Sequence, residues 1–278
     1  MKFSIYNQFG ARNSAPIFEA FAQGIKENGH SVESHDDSAD VAVIWSQLWA
    51  GRMAPNQGVW NRYKNSGRHV IILEVGAISR GTTWRVLLNG QNELLTVNND
   101  SSRAERLNLK VSPWKRDGTQ IIIACQRPDS NQWAGQPSLY EWLDMTVNQI
   151  RQHSKKQIII RPHPRCPVNY NSHGVSIVRG FKVAGTYDDY NFNDALTNAW
   201  AVVNWNSNPG VQSVIAGVPA FVGGTSLAAT VGNTSLAMIE HPYRPDRTQW
   251  VNDLAWTEWT VEELAQGVPI SLLSKRMQ

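Results

Sequence analysis

The feature that most constrains this chain is an alternation, met twice, between short apolar runs and segments of helical periodicity. The first stretch opens on Lys2–Tyr6 and passes through a polar loop, Asn7–Ser14, that contains Gly10. Ile17, Phe18, Phe21 and Ile25 then recur on one helical face, with Ser14 as N-cap, Pro16 in the first turn and Gly29 at the end. Val41–Trp45 and His69–Glu74 read as strands around a helix at Val59–Ser66. The second stretch repeats the pattern with strands at Ile121–Cys125, Ile158–Arg161, Ala201–Trp205 and Ala220–Val222. Between them lie helical segments at Leu139–Ser154, around Phe192–Asn198, and at Gly210–Ala216. Such alternation predicts βαβ units, hence an α/β fold of two Rossmann-like parallel-sheet domains with a cleft between them.

The irregular segment 81–117 separates the two stretches. It divides the chain into domains at residues 1–117 and 118–278. The tail reads as helices at Gln249–Trp256 and Val261–Gln266, with Thr260 as N-cap and Glu262 and Glu263 in the first turn. These terminal helices are expected to pack back on the N-terminal domain.

Composition excludes more than it selects. A hydrophobic content of 41% and a charged content of 18% are those of an ordinary folded domain. No apolar run is long enough to span a bilayer, and Met1–Tyr6 reads as a strand rather than a signal peptide, so the chain is expected in the cytoplasm, without a membrane partner. The two cysteines, Cys125 and Cys166, lack zinc-ligand spacing and read as buried thiols. A net charge of +3 decides nothing about nucleic acid. The 12 tryptophans supply stacking surface for bases and sugars but also fill cores. Oligomeric state is not encoded in any visible way, and a monomer is favoured.

In open α/β sheets chemistry collects in the loops after strands. The densest such loop lies in Val202–Pro219, where a strand ends in Asn206, Ser207 and Asn208, Pro209 and Gly210 open a helix, and Gly217 closes it. The helix start offers free amides and a positive dipole end to a phosphate, with Ser207, Gly210, Val211 and Ser213 around it. The alternative is a solvated polar loop. Arg161, His163 and Arg165 follow another strand in a loop stiffened by Pro162 and Pro164, and guanidinium groups recognise phosphate bidentately. His163 is either a phosphate or proton-transfer group or a structural histidine. Arg127 joins the donor set.

In the first half, Glu74 ends a strand and is a candidate general base for an acceptor hydroxyl, the alternative being an ion pair with Arg80 or Arg85. Gly10, Arg12 and Asn13, the loop residues Trp45, Ser46 and Trp49, and Arg80 are expected at the acceptor, with Asp100 as a competitor. P-loop, dinucleotide, zincin and nucleophile-elbow motifs are all missing from the sequence. Asp36-Asp37 and Asp188-Asp189 are adjacent pairs rather than Asp-x-Asp, so neither a metal nor any other cofactor is demanded.

The series Arg161-Pro162-His163-Pro164, Asn206-Ser207-Asn208-Pro209-Gly210 and Ala216-Gly217-Val218-Pro219 resembles glycosyltransferases of the GT-B fold, in particular capsule and surface-polysaccharide transferases. One departure is Gln212-Ser213, where many of those enzymes carry a Glu-Ala that touches the donor ribose. Val43-Ile44-Trp45, Leu73-Glu74-Val75-Gly76 and the tail 250–267 resemble glycosyltransferase-like proteins of tailed phages. The resemblance implies a metal-independent enzyme with a UDP-sugar as co-substrate. It implies duplex DNA bearing 5-hydroxymethylcytosine or 5-hydroxymethyluracil as acceptor, with Glu74 as base and Arg161, His163, Arg165 and Ser207–Ser213 on the leaving diphosphate. A surface polysaccharide or lipid-linked acceptor is the second reading, and a non-catalytic nucleotide- or DNA-binding protein the third.

Overall fold

The computed structural model describes residues 1–185 and 190–277, so Asp188-Asp189 lies outside the described residues. The chain forms two compact units. One comprises residues 1–97, 129–132 and 255–278, the other 98–128 and 133–254. The division therefore falls at 97/98 and 254/255 rather than after residue 117. Segment 98–117 belongs with the second unit because Ser112 N–H donates to Ile215 O and Lys115 N–H to Gly217 O.

The first unit begins with β1 (Lys2–Ile5), α1 (Ala15–Glu27), β2 (Ser31–Ser34), β3 (Val41–Trp45), α2 (Asn56–Asn65), β4 (His69–Val75) and β5 (Trp84–Leu88). The second holds α3 (Ser102–Arg106), β6 (Gln120–Ala124), α4 (Leu139–His153), β7 (Gln157–Arg161), β8 (Val175–Ile177), β9 (Ala199–Asn204), α5 (Asn208–Ile215), β10 (Ala220–Val222) and α6 (Thr248–Leu254). The chain then returns to the first unit as β11 (Glu258–Trp259), α7 (Val261–Ala265) and α8 (Val268–Leu273).

The second sheet, in the order β10-β9-β6-β7-β8, is parallel throughout. The first, β11-β5-β4-β3-β1-β2, is mixed, because β5 runs antiparallel to both β4 and β11. Both sheets are parallel-dominated, as the alternation of strands and helices predicts, with β5 the antiparallel exception. The middle residues of β6 and β9 are apolar on both faces because core clusters lie on either side of the sheet. In the first unit Ile17, Phe18, Phe21 and Ile25 of α1 pack on Phe3, Ile5, Val43 and Leu73, while Val59 and Tyr63 of α2 pack on Ile44, Val70 and Ile72. α4 and α7 each start in a capping box, Ser138 with Glu141 and Thr260 with Glu263.

Candidate functional site

Strand order locates the crevice of the second sheet. The chain runs β6, β7, β8 to one side and then returns to lay β9 on the other, so the topological switch point lies between the carboxyl ends of β6 and β9. Asn204 staples these ends, donating from Nδ2 to Ala124 O and to Ser207 Oγ at 2.9 Å each, and accepting Ser207 N–H at Oδ1. Across the same gap Gln126 Oε1 accepts the Asn206 N–H at 3.3 Å. The Gln126 amide nitrogen is buried and has no hydrogen-bond partner among the described residues. A buried polar group without a partner is destabilising by roughly 1–3 kcal/mol, and a ligand acceptor at this point would relieve it.

α5 begins beside Gln126. Its N-cap Ser207 makes no side-chain cap bond, unlike the caps of α4 and α7; its hydroxyl accepts Asn204 Nδ2 instead. The positive end of the helix thus faces the crevice without a side-chain oxygen over it. The third wall is the loop after β10. Asn206 Nδ2 donates to Thr225 Oγ1 at 3.0 Å, and a Cβ on Gly224 would meet nothing within 4 Å. An anion can therefore approach that backbone.

Several expected donor residues have other work. Ser213 is fully buried and donates to Gly210 O, so it does not face a ligand. Gly210 serves packing: a Cβ there would lie 2.9 Å from Val222 Cγ1 and 3.3 Å from Asn204 Oδ1. The Val211 side chain is core, although its backbone remains in the first turn of α5. Asn208 opens the helix and is half-buried. Arg161 is only 5% exposed, and its Nη2 reaches Asn191 O at 2.8 Å and the two Asp194 carboxylate oxygens at 2.7 and 2.9 Å. This ion pair ties β7 to the turn at 193–196. Arg165 N–H donates to His163 Nδ1 at 3.1 Å, which makes Nδ1 the acceptor and leaves the proton on Nε2 in the neutral ring. His163, half-buried, and Arg165, exposed, form one tight turn with Cys166, whose N–H donates to His163 O. Arg127, half-buried, directly follows Gln126. Burial pushes the neighbouring Cys125 thiol up to about 12, with Cys166 adding to the effect, so Cys125 is no nucleophile.

In the first unit the corresponding crevice lies between β1 and β3, and Asn56 Nδ2 bridges it to Phe9 O and Trp45 O. One strand further on, Glu74 is half-buried on the face that α2 covers. Its Oε2 accepts Ser46 Oγ–H at 2.9 Å and Gln47 N–H at 3.2 Å, and its Oε1 accepts Val75 N–H at 3.2 Å. Ser46 holds the left-handed backbone conformation, φ +62°, that aims both donors at the carboxylate. Gln47 is fixed in turn by Asn131, whose Nδ2 donates to Gln47 Oε1. Arg85 lies opposite Glu74 in the β4–β5 register and has Glu258 3.6 Å away on its other side.

The remaining acceptor candidates divide. Trp45 is 2% exposed against Phe18 and belongs to the core, which removes it as a ligand contact. Gly10 is a close-packing glycine, since a Cβ would overlap Ser14 Oγ and Phe18. Arg12, Asn13 and Arg80 are exposed, and Trp49 is half-buried against Trp60 with ring centroids 5.7 Å apart. Asp100 lies in the second unit and accepts Ser102 N–H and Oγ–H at the start of α3; these bonds hold its carboxyl below the usual range.

Sequence reasoning missed Gln126, Asn204 and Thr225. Gly223-Gly224 directly after an apolar strand was the available signal for Thr225. Gln126 carried none. Among the described residues no group of three or more His, Cys, Asp or Glu is placed to hold a metal ion, and no helix is long and apolar enough to cross a membrane.

No protein-family model matches the chain, and no curated protein matches it in sequence. Solved structures do. The KpsC beta Kdo 2,4 transferase of Thermosulfurimonas dismutans is similar with a TM-score of 0.53 at 11% identity, over 95% of this chain and 98% of that one. The KpsC beta Kdo 2,7 transferase of the same organism is similar with a TM-score of 0.50 at 15% identity, over 98% of this chain and 100% of that one. The architecture is thus that of the GT-B fold, with two Rossmann-like units.

Proposed function

We propose that the protein is a glycosyltransferase that binds a nucleotide sugar by its phosphate at the β6/β9 switch point of the second unit. The observation that carries this reading is the buried, unpartnered Gln126 amide beside the uncapped start of α5. Both features suit an anion whose charge grows as a leaving group departs. The KpsC proteins are named as transferases of a sugar, which agrees with this assignment.

In the reaction the acceptor hydroxyl oxygen forms a bond to the anomeric carbon as the bond from that carbon to the phosphate oxygen breaks. Glu74 takes the hydroxyl proton, and the electron pair of the broken bond leaves with the nucleotide. Ser46 and Gln47 position the Glu74 carboxylate. Arg161 acts indirectly, by fixing the end of β7. The resemblance to phage enzymes supplies one acceptor class, hydroxymethylated cytosine or uracil in duplex DNA; a saccharide hydroxyl is the other.

The test is incubation with a panel of UDP-, CMP- and GDP-sugars and both acceptor classes, read by mass spectrometry. Transfer to either class, lost or greatly reduced in Gln126→Leu, is the expected result. Absence of nucleotide-sugar binding by calorimetry across the panel rejects the assignment.

A further inference from the structure

The amino-terminal edge of the second sheet carries chemistry that the nucleotide site does not use. Gln157, Gln120 and Ala199 lie side by side in register at the starts of β7, β6 and β9. Residues just before them share one edge, and Gln126 and Asn206 lie at the other. With about 3.3 Å per residue, a five-residue strand such as β6 separates the two edges by roughly 16 Å.

Three segments converge there. Lys156 Nζ lies 4.5 Å and Arg244 Cζ 4.9 Å from the centre of the Trp200 ring. Lys156 pairs with Glu240 at 2.7 Å, and Arg244 Nε donates to Lys115 O at 3.0 Å. Segments 115–117, 151–156 and 240–244 contain six Lys and Arg (115, 116, 151, 155, 156, 244) against two acids (117, 240), an excess of +4 where the whole chain has +3. These short segments thus carry a local excess of positive charge. Tyr243, 58% exposed, stands next to it.

Structural roles account for part of the cluster. Basic side chains in the last turn of α4 complement the helix dipole, and Arg151 donates to Lys156 O and Gly174 O. They do not account for Arg116 and Lys155, which are exposed and have no hydrogen bond or ion pair among the described residues. Nor do they account for Arg244 Nη2, which is buried without a hydrogen-bond partner. Burial first, and then the charge of Arg116, lower the Arg244 guanidinium from its usual range.

We propose that this edge binds the phosphodiester backbone of a nucleic acid, with Arg116 and Lys155 on phosphates, Arg244 adding its charge from beneath, and Tyr243 stacking on an unpaired base. Cations interleaved with aromatic faces follow a backbone by charge and hold bases by stacking. The segments are turns and one helix end, with no amphipathic helix face to insert into a bilayer, and the exposed Tyr243 offers a ring for a base. The proposal is independent of the transferase reading.

The test is fluorescence anisotropy of the full chain with labelled single-stranded and duplex oligonucleotides over a salt series, without nucleotide sugar. Arg116→Ser/Lys155→Ser is expected to weaken binding at least about tenfold and to reduce the log–log salt slope by roughly 1.4 to 1.8, about 0.7–0.9 for each lost phosphate contact. Tyr243→Ala should weaken single-strand binding more than duplex binding. Lys26→Ser/Arg52→Ser, on the first unit, should change neither. Thermal melts check that every variant is folded. No binding at low salt, or an equal loss in both double variants, overturns the proposal. Binding to phosphatidylglycerol vesicles but not to oligonucleotides, lost in Arg116→Ser/Lys155→Ser, overturns it in favour of a membrane contact. Because no sugar donor is present, these outcomes are separate from any failure of transfer.

Discussion

The side-chain oxygen of Gln126 accepts the backbone N–H of Asn206 at 3.3 Å, and in doing so holds its own amide nitrogen inward, buried and unpartnered. One hydrogen bond therefore joins the ends of β6 and β9 and aims a donor into their crevice. Gln126→Leu keeps the volume and removes that donor. Nucleotide-sugar affinity should fall about tenfold to a hundredfold, roughly 1.5–3 kcal/mol for a hydrogen bond to a charged group. The thermal midpoint should move little, since an unmet polar group is lost with the bond. Calorimetry paired with a thermal melt measures both, and an unchanged affinity removes Gln126 from the site.

Glu74 makes a prediction of a different kind. Glu74→Gln abolishes proton acceptance while leaving donor binding intact, so turnover should drop by about 10²–10⁴ at unchanged donor affinity. Ser46→Ala removes one of the donors to the carboxylate and should give a smaller loss. Single-turnover rates beside binding isotherms test this, and full activity in Glu74→Gln eliminates it as the base.

The Arg161–Asp194 pair discriminates between two roles for one guanidinium. Asp194→Ala leaves the buried Arg161 without its carboxylate. Because Asp194 is about a third exposed, the expected loss of stability is about 1–3 kcal/mol rather than that of a fully buried pair. Denaturant unfolding measures it. Unchanged stability with altered nucleotide affinity would place Arg161 on the phosphate after all.

Cys125, its thiol pushed up to about 12 by burial, stays protonated near neutrality. At pH 8 only about one molecule in ten thousand carries the thiolate, so native protein should resist iodoacetamide at this position and react there only after unfolding. Peptide mapping by mass spectrometry reads the outcome. Rapid native labelling of Cys125 would mean that the end of β6 opens.

Legibility in the sequence followed the source of each element's stability. Ile121–Ile123 and Ile158–Ile160 announce themselves because a strand buried on both faces is apolar throughout. Thr260 with Glu263 announces a helix start because the capping chemistry is local. β2, Ser-Val-Glu-Ser, and the two-residue β11 are invisible in the same terms, since neighbouring strands alone give them their conformation. At the candidate site the start of α5 was legible from Pro209 and Gly210. Gln126 was not, because its meaning lies in standing next to Asn206, 80 positions later in the chain. Arg161 was legible as a charge but not as a pair, for the same reason.

Glu258 has a consequence for how the molecule is made. Its buried carboxylate accepts the N–H groups of Ala77 and Ile78 and the Thr83 hydroxyl, and it lies beside Arg85. All of these partners precede residue 98, and the entire second unit is threaded between them and Glu258. A ribosome therefore releases every residue of the inserted unit before it releases the one that closes the outer sheet. Domains usually mature in order of synthesis; here the inner unit can finish first, while the outer one waits as an open sheet with unmet donors.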